Sequence, residues 1–124
     1  MSVEIDCLTF CDRTDDSYFW RLVGCGHTKG KSVVSRGEAY ARIQAACDAR
    51  DNGKDIFVLA RTDSLIHGLD EALTRAKEFK KIGVDAVFIE ALPDKEAMRQ
   101  CVEELGIPTF ANSAYRSYYF CFYG

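Results

Sequence analysis

Side chains able to bind anions or move protons stand where the apolar runs of this sequence stop. Arg61-Thr62-Asp63 closes Ile56-Phe57-Val58-Leu59-Ala60, Glu90 closes Ala86-Val87-Phe88-Ile89, and Asn112 follows Pro108-Thr109-Phe110-Ala111. A guanidinium presents a planar fork to a carboxylate, a carboxylate accepts from hydroxyls or takes a proton, and an amide can orient a bound acid. In α/β folds the carboxyl ends of parallel strands are where ligands bind. A purely structural ion pair between Arg61 and Glu90 at the sheet rim fits the same pattern, and the pattern alone leaves both readings open. Upstream, Cys25-Gly26-His27 is a C-x-H with neither a CxxC nor a second pair at zinc spacing, so structural zinc has little support. Cys47 and Cys101 lie beside Ile43 and Val102 on helical faces and read as small buried hydrophobes. His67, in a linking segment, reads as an exposed loop histidine.

Positioning these groups falls to a regular alternation. Ser35-Arg36-Gly37-Glu38 has capping-box spacing, and Ala39, Ile43 and Ala46 follow at helical period, which predicts a helix from Arg36 to Arg50 stopped by Asp51-Asn52-Gly53. Asp70 is the expected cap of a second helix through Leu73, Ala76 and Phe79 to Lys81, with Gly83 at its left-handed end. Pro93-Asp94 opens a third, carrying Met98, Cys101, Val102 and Leu105 and closed by Gly106. Strands are expected near 56–60, 86–90 and 108–111; Ile56 to Ala60 is a continuous apolar run without polar alternation, as suits a strand covered on both faces, and Ala86 to Ile89 is a second apolar run. Helices alternating with such strands through short links mean βα units and a parallel sheet, in a barrel or an open arrangement. Residues 1–21 show weak alternation and then a polar cluster, and take no assignment. The tail, 113–124, is crowded with aromatics and does not continue the βα pattern.

Composition excludes several partners. The 124 residues are 48% hydrophobic and 28% charged, an ordinary globular balance, and suffice for one domain but fall short of a complete barrel. Net charge is −3 and no Lys/Arg-rich run occurs, which argues against nucleic acid. No apolar stretch approaches the ~20 residues needed to span a bilayer. With Glu4 and Asp6 near the start and no basic region before them, nothing there reads as a secretory signal. The expected address is intracellular, cytoplasmic or mitochondrial, and the six cysteines are expected to be reduced.

Taken in order, Cys25-Gly26-His27, Gly30-Lys31, Arg42-Ile43, Ala60-Arg61-Thr62-Asp63, Gly68-Leu69-Asp70-Glu71-Ala72, Gly83-Val84-Asp85-Ala86-Val87-Phe88-Ile89-Glu90 and Ala111-Asn112 form a series. It resembles the isocitrate lyase, methylisocitrate lyase and phosphoenolpyruvate mutase superfamily over Leu22 to Asn112. The resemblance implies an incomplete (β/α)8 TIM barrel over 22–112 and a magnesium-dependent carbon–carbon lyase. Its substrate would be a small 2-hydroxy di- or tricarboxylic acid, such as 2-methylisocitrate or isocitrate, cleaved through an enolate that a cation and fixed donors stabilise. An oxaloacetate-type hydrolase of the same superfamily is the nearer alternative. A non-catalytic fragment that associates with a full-length relative is the more distant one. By the resemblance Cys25 is the catalytic acid, which argues against the phosphonate-forming mutases. Gly26 and His27 bind a substrate carboxylate, Arg61 grips one in its fork, Glu90 contacts substrate and Asn112 orients it. Asp63 is expected to support Arg61 or the strand end rather than touch substrate. The family is usually homo-oligomeric.

There are departures. Val23 and Gly24 stand where the family has basic residues before Cys-Gly-His. The family's magnesium-binding carboxylates lie upstream of the cysteine, and Asp12, Asp15 and Asp16 do not match them. The chain is therefore expected to be truncated and inactive, and its strand edges, open once taken from a closed barrel, to favour aggregation. The geometry to look for is Arg61, Glu90 and Asn112 at one rim of a parallel sheet; any of them at the opposite end would defeat the assignment.

Overall fold

A computed structural model describes residues 33–53 and 57–111 with their side chains. For residues 8–12, 19–20, 56, 112–113 and 116–122 it describes the backbone alone. Three strands form the centre: β3 (Ile56–Thr62), β4 (Ala86–Ile89) and β5 (Thr109–Ser113), paired parallel in chain order. Helices α1 (Arg36–Asp51), α2 (Leu69–Ile82) and α3 (Lys95–Leu105) alternate with them, as the periodicity predicts.

Sequential strands lie side by side, and one core joins the three helices to one sheet face. Val58, Ala60, Val87, Ile89 and Ala111 pack there with Ile43, Cys47, Leu73, Phe79, Cys101 and Leu105. The opposite face carries Leu59, Ala86 and Phe88 with Phe57 and Phe110. Strands that advance in one direction with helices on one side are wound as in a (β/α)8 barrel; a doubly wound sheet reverses its strand order and covers both faces. The three central strands and their helices form part of such a barrel.

Caps follow the residue chemistry. Ser35 Oγ accepts from the Glu38 backbone N–H at 3.2 Å, but the Glu38 carboxylate pairs with Arg42 rather than closing the reciprocal half of the box. Asp94 accepts from the Ala97 N–H at 2.8 Å. The second helix departs from expectation: Gly68, at φ 104°, is its N-cap, and Asp70 sits inside the first turn. A 3-10 turn (Ser64–His67) runs almost directly into α2, so the chain needs a residue tolerant of positive φ at the junction. Asp70 still faces the positive end of the helix dipole.

Both chain ends add strands where none was assigned. β1 (Leu8–Asp12) pairs antiparallel with β3 and with β2 (Phe19–Trp20), and β6 (Arg116–Phe122) pairs antiparallel with β5. The order is β2-β1-β3-β4-β5-β6. The tail thus does extend the sheet. Its Tyr and Phe residues favour extended backbone, and an unpaired β5 edge offers a row of donors and acceptors. Cys47 and Cys101 are buried free thiols and His67 is exposed, as read from sequence. Among the described residues no helix is long and apolar enough to cross a membrane.

Phe79 is fully buried where α1 and α2 meet the sheet, its ring 6.0 Å from that of Tyr40 and edge-on to it. Phe79→Ala should cost about 3–5 kcal/mol of stability. Urea denaturation followed by circular dichroism would measure it, and a loss below about 1 kcal/mol would mean that this contact does not join the layers.

Candidate functional site

Arg61 is the penultimate residue of β3, and Asp63 follows that strand directly. Two residues apart at a strand end, they share a face, and the guanidinium meets the carboxylate in a fork: Nε to Oδ1 is 2.8 Å and Nη2 to Oδ2 is 3.3 Å. Glu90 reaches the same place from β4. Its backbone N–H donates to the Thr62 carbonyl at 3.1 Å, and its Oε2 lies 3.6 Å from Arg61 Nη2. The Phe88 ring stands 5.5 Å from the guanidinium carbon, adding a cation–π contact on the same sheet face. Arg61, Asp63 and Glu90 are 7%, 2% and 3% exposed.

The strand ends are built to hold these groups still. Thr62 Oγ1 and Ser64 Oγ are 2.7 Å apart, and the Ser64 N–H donates to Thr62 Oγ1 at 3.1 Å, so hydrogen bonds bracket Asp63 on both sides. Ala91, directly after Glu90, has φ 63°, a left-handed conformation that costs a non-glycine residue about 1–2 kcal/mol. Such strain recurs where a fold must aim a side chain.

The three strand-end residues named from sequence therefore fall at one rim. Arg61 and Glu90 meet directly. Asn112 lies on β5, one residue past Ala111, which pairs with Ile89; only its backbone is described. Cys25, Gly26 and His27 lie outside the described residues. Asp63 braces Arg61, as expected from sequence. Phe88 was missed as a site residue because an apolar strand residue carries no local mark of the cation beside it. Among the described residues no group of three His, Cys, Asp or Glu side chains could hold a metal ion. Asp63 and Glu90 both face Arg61. These described residues do not fit a magnesium site.

A model of the family described as phosphoenolpyruvate phosphomutase matches residues 22–116. The chain is 40% identical over 89 residues to 2,3-dimethylmalate lyase of Eubacterium barkeri, covering 71% of this chain and 30% of that protein. To 2-methylisocitrate lyase of Escherichia coli strain K12 it is 38% identical over the same share of each chain. In structure it is similar to oxaloacetate acetylhydrolase in complex with the inhibitor 3,3-difluorooxalacetate. The TM-score is 0.66 at 37% identity, covering 72% of this chain and 31% of that one. The chain thus spans about 30% of the length of the curated relatives it matches.

A second polar cluster fixes the start of α1. Arg75, buried on α2, donates to the Val34 carbonyl at 2.8 Å and to Glu71 at 2.8 Å, while Arg36 approaches the same Glu71 carboxylate at 3.0 Å. Hydrogen bonds from Arg36 and Arg75 hold the Glu71 carboxyl down to about 2, from an ordinary 4.5. A depressed carboxyl pKa contributes stability that is complete above the unfolded value and is lost as pH falls through the folded one. Glu71→Gln should cost about 1–2 kcal/mol at pH 7 after solvent screening, with the gap closing between pH 4.5 and 2. Denaturation of both proteins across that range would show it; a difference that persists undiminished to pH 2 would contradict the linkage.

Proposed function

Because the chain belongs to the phosphoenolpyruvate phosphomutase family, we propose that its chemistry is that of a carbon–carbon lyase acting on a small 2-hydroxy di- or tricarboxylic acid of the 2-methylisocitrate kind. The observation that carries this reading is a guanidinium and a second-strand carboxylate converging at the carboxyl rim of a parallel sheet. Arg61 takes a substrate carboxylate by charge-assisted hydrogen bonds. Glu90, beside it, accepts from the adjacent hydroxyl. As the bond between the hydroxyl-bearing carbon and its neighbour breaks, the hydroxyl proton passes to Glu90 and the hydroxyl becomes a carbonyl; the bonding pair leaves as an enolate, which takes the thiol proton of Cys25 and leaves a thiolate. The similarity to two lyases of hydroxy acids supports this assignment.

The likeness to oxaloacetate acetylhydrolase favours a second reading, hydrolysis of a 2-oxo dicarboxylate with water as the other reactant. The same Arg61 grip serves both. The homo-oligomer usual in the family, and magnesium as its cation, belong to this proposal as well.

Purified chain incubated with magnesium and 2-methylisocitrate, isocitrate or oxaloacetate, with Cys25→Ser as control, tests the reading. The expected result for these 124 residues alone is carboxylate binding without measurable turnover. A general acid contributes ~10²–10⁴-fold only once an enolate can form. Magnesium-dependent turnover that Cys25→Ser abolishes would show that the residues upstream of Cys25 hold the cation after all. Failure to bind any of the three acids would overturn the assignment of Arg61.

A further inference from the structure

We infer that Tyr119 of β6 belongs to the candidate site, because the sheet register sets it beside Asn112 on the face that carries Arg61 and Glu90; there its phenol takes the second carboxylate of a di- or tricarboxylic acid. The inference rests on the reading of Arg61 as the carboxylate grip and adds what holds the other end of the ligand.

Strand pairing fixes the faces. Arg61 stands level with Phe88, Phe88 with Phe110 and Phe110 with Cys121, and residues paired across strands share a sheet face. Phe88 and Phe110 lie with Leu59 in the second apolar cluster, so this is the face turned away from the helices. Successive strand residues alternate between faces. Glu90 is two past Phe88, Asn112 two past Phe110 and Tyr119 two before Cys121, so all three return to the face of Arg61. Because β6 runs antiparallel to β5, its first half lies at the rim where β3, β4 and β5 finish. The register breaks between Asn112 and Ser113, directly beyond the Asn112–Tyr119 pair. Irregularities of this kind concentrate at sheet ends and beside binding sites, where they end a ladder.

The chemistry suits the position. Three strand spacings, about 14 Å in all, separate the backbones of Arg61 and Tyr119 across the sheet. Less the reach of an arginine and of a tyrosine, that gap suits a small acid with a carboxylate at each end. A phenol is a neutral donor, so it binds a carboxylate without adding charge to the rim.

Succinate and butyrate are the probes, equal in carbon count but carrying two carboxylates and one. Each is titrated by NMR into the full chain and its variants, with thermal melts to establish folding. Tyr119→Phe keeps the ring and removes the hydroxyl. It should bind succinate about tenfold more weakly than the parent chain and butyrate equally well. In a folded variant, both affinities unchanged or both weakened alike overturns the inference, since the ring then serves packing. In the parent chain labelled at the tyrosine ring carbon that bears the hydroxyl, succinate should shift a resonance that butyrate leaves in place. Absence of such a resonance overturns the inference, and this measurement decides if Tyr119→Phe does not fold. Arg61→Gln separates this from the underlying reading: both acids lost there while Tyr119→Phe fails to discriminate between them refutes the inference alone. Binding unchanged in Arg61→Gln, or no binding by the parent chain at millimolar succinate, refutes the grip and the inference with it.

Discussion

Two parallel strands cannot be joined by a tight turn, because the chain must travel back along the whole sheet before the second can begin. Here α2 and α3 make those return journeys on one side of the sheet, so β3, β4 and β5 all finish at the same rim. Each helix hides one face of its strands and leaves the strand end to whichever residue comes next. Arg61, Glu90 and Asn112, scattered through the chain, become neighbours through that constraint alone. The apolar layer of Phe79, Ile89 and Leu105 beneath them makes the arrangement rigid.

Rigidity permits an electrostatic arrangement that stability alone would not select. A buried ion pair is often no better for folding than apolar residues of equal volume, since desolvation consumes most of the attraction. Two carboxylates around one buried guanidinium, with a residue of positive φ directly after one of them, is an expensive way to finish two strands. The same cost is understandable where charged groups must meet a charged ligand. The Glu71 cluster differs in this respect: its second cation, Arg36, is half-exposed, and its contacts tie one helix to another.

The helices and central strands were legible because each obeys a local rule. Apolar residues recur at helical period, Ser35 and Asp94 cap, Gly83 and Gly106 end helices in left-handed conformations, and β3 and β4 are built on the apolar runs Ile56 to Ala60 and Ala86 to Ile89. The rim was legible for the same reason, as the first polar residue after each run. What the sequence did not show was set by partners distant in the chain. Arg75 looks like an ordinary surface cation on α2 until Val34 and Glu71 are placed around it. β1 and β6 owe their strand pairing to the edges of β3 and β5, which no local window contains. Asp70 lost its cap because the preceding turn runs almost straight into the helix.

At the opposite end of the sheet, Asp85 precedes β4 and its carboxylate accepts from the Val58 N–H at 2.7 Å and from Arg50 at 3.0 Å. Its own N–H donates to the Val58 carbonyl at 3.0 Å, so one residue locks β3, β4 and α1 in register. This anchorage lies at the opposite end of β4 from Glu90, and on β3 it holds Val58, three residues before Arg61. A lineage carrying such a division can exchange rim residues for other substrates while strand register is kept by the far end. Chemical diversity at one pole and conservatism at the other are then two results of the same economy of design.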